Sequence, residues 1–174
     1  MGVFNENAII GTSAAVGGDF SIDNSCWFND DDAPGLTRAA WSSAAANRRT
    51  WTFSIWLKLG STQDAHRQIY KCGGNDSFAL GSNNILDWYT ENAAGRRITS
   101  AKLVDVSAWY HVVLAMDTAN ASNDDKMRMY INGERVTDLA TNTPPTLNHQ
   151  SDLGNGSTAL TIGTNGADEW DGYM

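Results

Sequence analysis

Residues 109–116 read Trp-Tyr-His-Val-Val-Leu-Ala-Met, and residues 126–133 read Lys-Met-Arg-Met-Tyr-Ile-Asn-Gly. The first segment is apolar at both sets of alternating positions, which is the pattern of a strand covered on both faces. The second alternates apolar and polar residues over 127–131. It ends in Asn132-Gly133, which favours a type I′ turn because both residues accept a positive φ. Together the segments predict a three-strand meander in an all-β domain.

Other apolar stretches have the length of strands and are separated by turn-forming residues. The clearest is Thr50–Leu59, whose odd-numbered positions are all apolar and whose Trp56 is the exception on the opposite face. Such alternation predicts a strand. Segment 137–158 is predicted to be a long irregular connection. Further strands are predicted at Phe20–Asn29, Leu36–Ala40, Arg67–Cys72, Ser77–Leu80, Ile85–Thr90, Arg96–Ser100 and Ala159–Gly163. Short strands without any βαβ pattern predict an all-β, two-sheet antiparallel jelly-roll sandwich.

Length and charge limit the partners of this domain. The chain has 174 residues, the size of one β-sandwich, and a formal net charge of −8. An acidic chain lacks the basic face that binding to a nucleic-acid backbone requires. No apolar run approaches the length of a membrane span, so membrane insertion is not expected. The N-terminus Met-Gly-Val-Phe-Asn-Glu does not have the pattern of a secretory signal.

The cysteines and the N-terminal segment leave alternatives open. Cys26 and Cys72 lie in apolar strand segments, which favours two buried free thiols. A disulfide remains the alternative, because the sequence does not give the distance between their Cα atoms. Residues 1–18 are predicted to be an arm, which either docks on another surface or forms a loose tail. The domain itself is predicted at 19–174.

Five motifs occur in one order along the chain: Trp-Thr-Phe-Ser-Ile-Trp-Leu-Lys at 51–58, Trp-Tyr-His-Val-Val at 109–113, Met-Tyr-Ile-Asn-Gly at 129–133, Leu-Thr-Ile-Gly at 160–163 and Trp-Asp-Gly-Tyr at 170–173. They resemble the concanavalin A-like, laminin G-like (LamG) jelly roll, over roughly residues 20–174. The N-terminal third resembles a narrower group, the LamG-like structural proteins of tailed bacteriophages. The motifs that carry this second resemblance are Ile10-Gly-Thr-Ser, Phe20-Ser-Ile-Asp, Trp27-Phe-Asn and Asn47-Arg-Arg-Thr-Trp-Thr-Phe-Ser.

The resemblance implies a non-enzymatic structural or adhesive protein of a phage virion: a tail fibre, an appendage or a capsid decoration. Such a protein is made in the host cytoplasm and carried on the particle. The implied partners are other virion proteins, a homotrimer, and a host cell-surface glycan or protein. The competing function is a stand-alone carbohydrate-binding, lectin-like module of a bacterial surface protein. The family pattern continues through one more strand, so the domain is expected to lack its final strand at Met174.

Enzymatic activity is not expected. Glucanases of this fold carry a Glu-x-Asp-x-x-Glu string that places two carboxylates on one face of a strand. The chain contains no such string, and its glutamates lie far apart in sequence. The histidines His66, His111 and His149 have no metal-binding spacing. A glycoside hydrolase is therefore the least favoured function.

Aromatic residues are the predicted ligand contacts. Trp56, Trp88, Tyr89 and Tyr130 belong to a set of rings larger than one core face needs. Aromatic rings stack on the faces of sugars, and flanking polar side chains supply hydrogen bonds. Trp88 and Tyr89 are adjacent, so one of the two must point away from the core. The alternative is that these rings lie between the sheets or in a subunit contact.

A calcium site is the second prediction. The resemblance implies one Ca²⁺ held by loop carboxylates and backbone carbonyls, the ligands that this cation prefers. Asp30, Asp31 and Asp32, which follow the first strand, are the favoured ligands. Acidic groups at 117–125 and 168–171 are further candidates. Acidic residues are also ordinary turn formers, and this alternative stays open.

Overall fold

The computed structural model describes residues 24–62 and 65–174. In these ranges the chain forms thirteen β-strands, three short 3₁₀ turns (Asp30–Asp32, Ser82–Asn84 and Asn123–Asp125) and no α-helix. No helix in this part of the chain is long and apolar enough to cross a membrane. The strands are β1 (Trp27–Phe28), β2 (Leu36–Arg38), β3 (Thr50–Leu59), β4 (Arg67–Cys72), β5 (Asp76–Gly81), β6 (Ile85–Thr90), β7 (Gly95–Lys102), β8 (Tyr110–Asp117), β9 (Met127–Ile131), β10 (Glu134–Arg135), β11 (Leu139–Thr143), β12 (Leu160–Ile162) and β13 (Gly172–Tyr173).

Two antiparallel sheets form a sandwich. The six-stranded sheet has the order β1-β13-β3-β8-β9-β10, and the seven-stranded sheet has the order β11-β7-β6-β5-β4-β12-β2. Their inner faces form one core, in which Leu57 and Leu114 of the first sheet join Phe78 and Trp88 of the second. The predicted all-β jelly-roll sandwich is confirmed.

The alternating segments fold as predicted. β3, β4 and β6 have the bounds expected from the sequence. The meander is confirmed as β8, β9 and β10, which are neighbours in the six-stranded sheet. Asn132 and Gly133 at its turn have φ values of 51° and 86°. Both lie in the left-handed region, as a type I′ turn requires.

Two predictions about strands are corrected. The first is that β8 would be covered on both faces: Val112, Leu114 and Met116 are buried, but Val113 and Ala115 are only half-buried. Among the described residues, no further layer covers the outer side of this sheet. The second is segment 137–158, which contains the edge strand β11, paired with β7.

The two cysteines differ in burial. Both thiols are free, Cys72 is buried and Cys26 is exposed. The prediction of a buried thiol is therefore wrong for Cys26, although its N–H and C=O pair with the backbone of Met174 at 2.9 and 3.0 Å. The predicted first strand began at Phe20, and its Ile22 lies outside the described residues, as does the arm at 1–18.

The C-terminal strand is inserted between two others. β13 pairs with β1 on one side and with Lys58 and Leu59 of β3 on the other. β3 pairs with β8 along Thr50–Leu57, whereas the opposite edge of that stretch has no strand partner in the part of the chain described. Trp51, Phe53 and Ile55 face the core there but are only half-buried, while Leu57 and Leu59 are buried.

A buried carboxylate anchors the connection after β11. Asp76 is 0% exposed and accepts hydrogen bonds from the Thr90 and Ser151 hydroxyls and from the N–H groups of Asp152 and Leu153. Several hydrogen bonds compensate the desolvation of a buried carboxylate. This connection therefore packs in a fixed position against β5 and β6.

Candidate ligand-binding faces

The four predicted aromatic contacts lie in three different places. Trp88 is 0% exposed and belongs to the core, so its prediction as a ligand contact is corrected: it points inward from β6. Its neighbour Tyr89 points outward from the seven-stranded sheet. Trp56 and Tyr130 both lie on the outer face of the six-stranded sheet and are half-buried. The structure therefore brings two of the four to one face and separates the others.

A row of rings crosses the outer face of the six-stranded sheet. We call it the aromatic face and define it by Trp27, Tyr173, Trp109, Trp56 and His111. Strand register assembles it, because Trp27 is paired with Tyr173, Tyr173 with Lys58 and Trp56 with His111. Directly paired residues of antiparallel strands project their side chains to the same side of a sheet.

The rings of the aromatic face support one another. Trp27 and Tyr173 meet edge to face with centroids 4.8 Å apart, and Trp109 is tilted against Tyr173 at 6.2 Å. Trp56 stacks on His111 with centroids 4.8 Å apart and an angle of 17° between the planes. Trp27 is 60% exposed. Such contacts restrict the rings, so the face keeps its shape without a ligand.

Polar groups lie next to these rings. Ser54 Oγ and His111 Nε2 share a hydrogen bond of 2.9 Å, and the backbone N–H of His111 donates to Asn132 Oδ1 at 2.9 Å. Lys58 lies on the same face of β3, opposite Tyr173 of β13 and two positions from Trp56. The face thus combines flat apolar surface with a hydroxyl, an imidazole and an ammonium group, the combination that sugar binding uses.

The outer face of the seven-stranded sheet is polar and bonded to itself. The Asp87 carboxylate accepts two hydrogen bonds from Arg96, one of them from Nε at 2.9 Å. This interaction raises the pKa of Arg96. Lys71 Nζ donates to Tyr89 Oη at 2.6 Å. Gln68 donates to Ser77 Oγ at 2.9 Å, and its Oε1 accepts from Asn165 at 3.2 Å. The polar groups of this face therefore already have partners within the protein.

The predicted calcium ligands do not converge. Asp30, Asp31 and Asp32 form a 3₁₀ turn without any buried residue, and Asp32 accepts a hydrogen bond from Asn29 Nδ2 at 2.9 Å. Across 24–62 and 65–174, no three His, Cys, Asp or Glu side chains are arranged to hold a metal ion. The predicted site at Asp30–Asp32 is therefore not formed in this structure.

A buried cation near the same turn also opposes cation binding. Arg67 is 2% exposed, and burial lowers its pKa while the charges of Asp171 and Asp30 act to raise it. Asp30 therefore already lies in the field of a guanidinium. A Ca²⁺ ion at Asp30 would compete with that positive charge.

Three rings of the aromatic face were not predicted from the sequence as ligand contacts. Trp27, Trp109 and Tyr173 are separated by 82 and 64 positions in the chain. They meet only because β13 is inserted between β1 and β3. Strand alternation could have predicted two of these rings. It puts Trp27 and Trp109 on the sheet face opposite to that of the buried Phe28 and Val112.

Family comparison agrees with this architecture. The Laminin_G_3 family model, described as the concanavalin A-like lectin/glucanases superfamily, matches residues 18–174. The chain belongs to this family. A comparison with curated proteins found no match for this concanavalin A-like domain.

One solved structure similar to this concanavalin A-like domain is the crystal structure of the native heptameric SAP-like pentraxin from Limulus polyphemus. The TM-score is 0.53 at 14% sequence identity, and the match covers 88% of this chain and 69% of that chain. At this identity the likeness establishes the shared fold alone.

Proposed function

We propose that this concanavalin A-like domain is a non-enzymatic, glycan-binding adhesive domain whose ligand stacks on the aromatic face. One observation carries the proposal: the rings of Trp27, Tyr173 and Trp56 on the neighbouring strands β1, β13 and β3, with Trp109 just before β8, lie on a sheet surface that nothing else in the described residues covers. Sugar rings present apolar faces to such surfaces and hydroxyl groups to their polar neighbours.

The arrangement of the carboxylates supports a role in binding rather than catalysis. Hydrolysis of a glycosidic bond uses two carboxyl groups that flank the bond, about 5–10 Å apart. Asp76 is buried and bonded to four donors, Asp87 is paired with Arg96, and Glu91 accepts two hydrogen bonds from Thr146. Each of these carboxylates has a structural task that explains its position.

A glycan array tests this function. We expect the whole chain to bind at least one glycan class, and the double variant Trp27→Ala/Trp109→Ala to lose that binding by tenfold or more. Trp41→Ala is the matched control, because Trp41 contacts Arg38 rather than the aromatic face. We expect EDTA to leave binding unchanged, since ring stacking needs no metal. An array without any bound glycan, or equal losses in both variants, would contradict the proposal.

We further propose that the domain works within a phage virion, as a tail fibre, an appendage or a capsid decoration, alongside other virion proteins and as a homotrimer in a fibre. The resemblance of the N-terminal third to LamG-like phage proteins supports this setting. The edge of β3 opposite β8, which has no strand partner along Thr50–Leu57 among residues 24–62 and 65–174, supports it independently. Backbone groups on a sheet edge pair readily with a strand from another chain.

The side chains along that edge favour a partner strand with apolar residues at alternate positions. Trp51, Phe53 and Ile55 point toward the core yet remain half-buried beside the edge. A strand added to β3 would cover them and continue the six-stranded sheet. The same geometry explains why Leu59, which lies where β13 pairs, is already buried.

Electron microscopy of the assembled particle tests the setting. We expect density for a neighbouring strand along Thr50–Leu57 of β3. The competing function, a stand-alone lectin-like module of a bacterial surface protein, predicts a monomer in solution that binds glycan with this edge facing solvent. A folded, monomeric, glycan-binding chain that is absent from particles would support that competing function.

A further inference from the structure

A crevice of about 200 Å³ opens between the two sheets, at the side where β9 and β10 face β7 and β11. It is separate from the aromatic face, which lies on the outside of the sandwich. Its apolar wall includes Met127, Met129 and Leu139. Its polar wall includes Arg97, Arg135 and Asp124.

Arg97 brings a buried positive charge to this crevice. Its side chain is 2% exposed and donates to the carbonyl oxygens of Met127, Asn123 and Arg96 at 3.3, 3.1 and 3.3 Å. A guanidinium has five N–H donors, so these bonds leave two. In the part of the chain that the structure describes, no carboxylate lies within ion-pair distance of Arg97.

A buried charge without a counter-ion is unfavourable. Burial lowers the pKa of Arg97, and the negative charge of Asp124 acts in the opposite direction. Asp124 does not reach the guanidinium, and its Oδ1 accepts from Asn142 at 3.3 Å. The three carbonyl groups satisfy hydrogen bonds but carry no net charge. Within the described residues, Arg97 therefore has hydrogen-bond acceptors but no negative charge in direct contact to balance its own.

A second arginine adds positive charge. Arg135 also lines the crevice and is paired with Asp125 at 2.9 Å. The side chain of Arg128 points to the outer face, because this residue alternates in β9 with the buried Met127 and Met129. The charged side chains facing the crevice are therefore Arg97, Arg135 and Asp124, in a chain whose formal net charge is −8. A cationic pocket stands out on such an acidic molecule.

We infer that this crevice binds a small organic carboxylate, with the carboxylate beside Arg97 and Arg135 and the apolar body against Met127, Met129 and Leu139. The planar guanidinium matches the two oxygens of a carboxylate. Mixed walls of this kind, apolar with a few placed charges, are typical of small-molecule sites.

Methionine-methyl NMR tests this site directly. The probe is benzoate, its neutral counterpart is benzyl alcohol, and sodium chloride keeps the ionic strength constant. We expect benzoate to shift the methyl signals of Met127 and Met129 saturably, while that of the core residue Met116 stays in place. We expect benzyl alcohol to bind at least tenfold more weakly, because it lacks the charge.

Variants at exposed arginines complete the test. Arg135→Gln should weaken benzoate binding at least tenfold, whereas Arg38→Gln, an equal change of charge on β2, should leave it unchanged. Equal shifts with benzyl alcohol, equal losses in both variants, or no saturable shift in the unmodified protein would each overturn the inference. The comparison of benzoate with benzyl alcohol needs no substitution and does not depend on how well a variant folds.

Discussion

The two outer faces of the sandwich share strand geometry but differ in how their side chains are satisfied. On the seven-stranded sheet, Asp87 bonds to Arg96 and Tyr89 bonds to Lys71. On the six-stranded sheet, Trp27 is 60% exposed and the rings beside it contact mainly one another. The polar groups on the outer face of the seven-stranded sheet, called the polar face below, bond to one another. The outer face of the six-stranded sheet presents apolar surface to solvent.

This difference indicates where binding energy is available. A ligand on the polar face would have to replace hydrogen bonds that the protein already makes, with little net gain. A ligand on the aromatic face removes exposed ring surface from water, which is favourable at about 25 cal/mol per Å². Substitutions on the polar face should therefore change stability, and substitutions on the aromatic face should change binding.

The largest effect on stability is expected at Trp88, which is adjacent to Tyr89 in β6. Trp88→Ala should lower the free energy of unfolding by about 3–5 kcal/mol, because it leaves a cavity in the core. Tyr89→Ala should cost about 1–2 kcal/mol, since its ring is half-buried on the outer face. Chemical denaturation measures both values. Equal losses would mean that the two side chains do not point to opposite faces.

The next effect concerns the ion pair of the polar face. Asp87→Ala should cost about 1–2 kcal/mol, because it leaves Arg96 without its partner at a partly exposed site. Asp31→Ala, an exposed acid, is the matched control and should stay within about 0.5 kcal/mol. Thermal unfolding of both variants provides the measurement. If Asp87→Ala instead removed glycan binding at unchanged stability, the assignment of the two faces would be reversed.

The two cysteines differ in reactivity and pH dependence: Cys72 ends β4, whereas Cys26 precedes β1. Burial raises the pKa of Cys72 from 9.0 to about 12, assisted by the charges of Asp76 and Asp152. A raised pKa in the folded state contributes stability that is present below pH 9.0 and lost as the pH rises toward about 12. We expect the free energy of unfolding of Cys72→Ala to fall less steeply than that of the unmodified protein as the pH rises above 9.0.

Thiol labelling checks the same contrast in the folded protein. Near neutral pH, Cys26 should react quickly and Cys72 only after unfolding, because the thiolate is the reactive species. Rapid labelling of both thiols would contradict the burial of Cys72.

The smallest effect is expected at Glu91, at the end of β6. Burial alone would raise the pKa of Glu91, but hydrogen bonds from the Thr146 hydroxyl and N–H and the charges of His149 and Lys126 lower it below 4.5. A lowered pKa contributes stability above pH 4.5 that is lost as the pH falls further.

Comparison with Glu91→Gln isolates this contribution. The free energies of unfolding of the two proteins should differ most near neutral pH, by about 1 kcal/mol or less at such a partly exposed site, and should converge in acid. Thermal unfolding between pH 3 and 7 measures the difference. A stability difference that grew as the pH fell would contradict the lowered pKa of Glu91.

The sequence predicts the interior of this fold better than its surfaces. β3 was predicted with its observed bounds because its apolar residues alternate over ten positions. β11 was missed because Leu-Ala-Thr-Asn-Thr has a single large apolar residue, and an edge strand needs pairing on one side only. Its position depends on β7, which lies far away in the sequence.

The candidate site depends on the same long-range pairing. The alternation in β3 and β9 placed Trp56 and Tyr130 on the side opposite to the apolar residues, but left open what covers them, and it could not choose between Trp88 and Tyr89. An apolar pair in a short strand does not reveal which member faces the core. The aromatic face as a whole requires the order β1-β13-β3-β8, and no local pattern encodes that order.

The indole N–H signals of the seven tryptophans provide the most direct test of the central claim. The measurement is a ¹⁵N–¹H NMR titration with the strongest ligand from the glycan array. We predict shifts for Trp27, Trp56 and Trp109, and none for Trp51, Trp88 and Trp170, whose indole nitrogens are buried. Shifts confined to the backbone amides of Lys71, Asp87 and Tyr89 would instead place the ligand on the seven-stranded sheet and contradict the account.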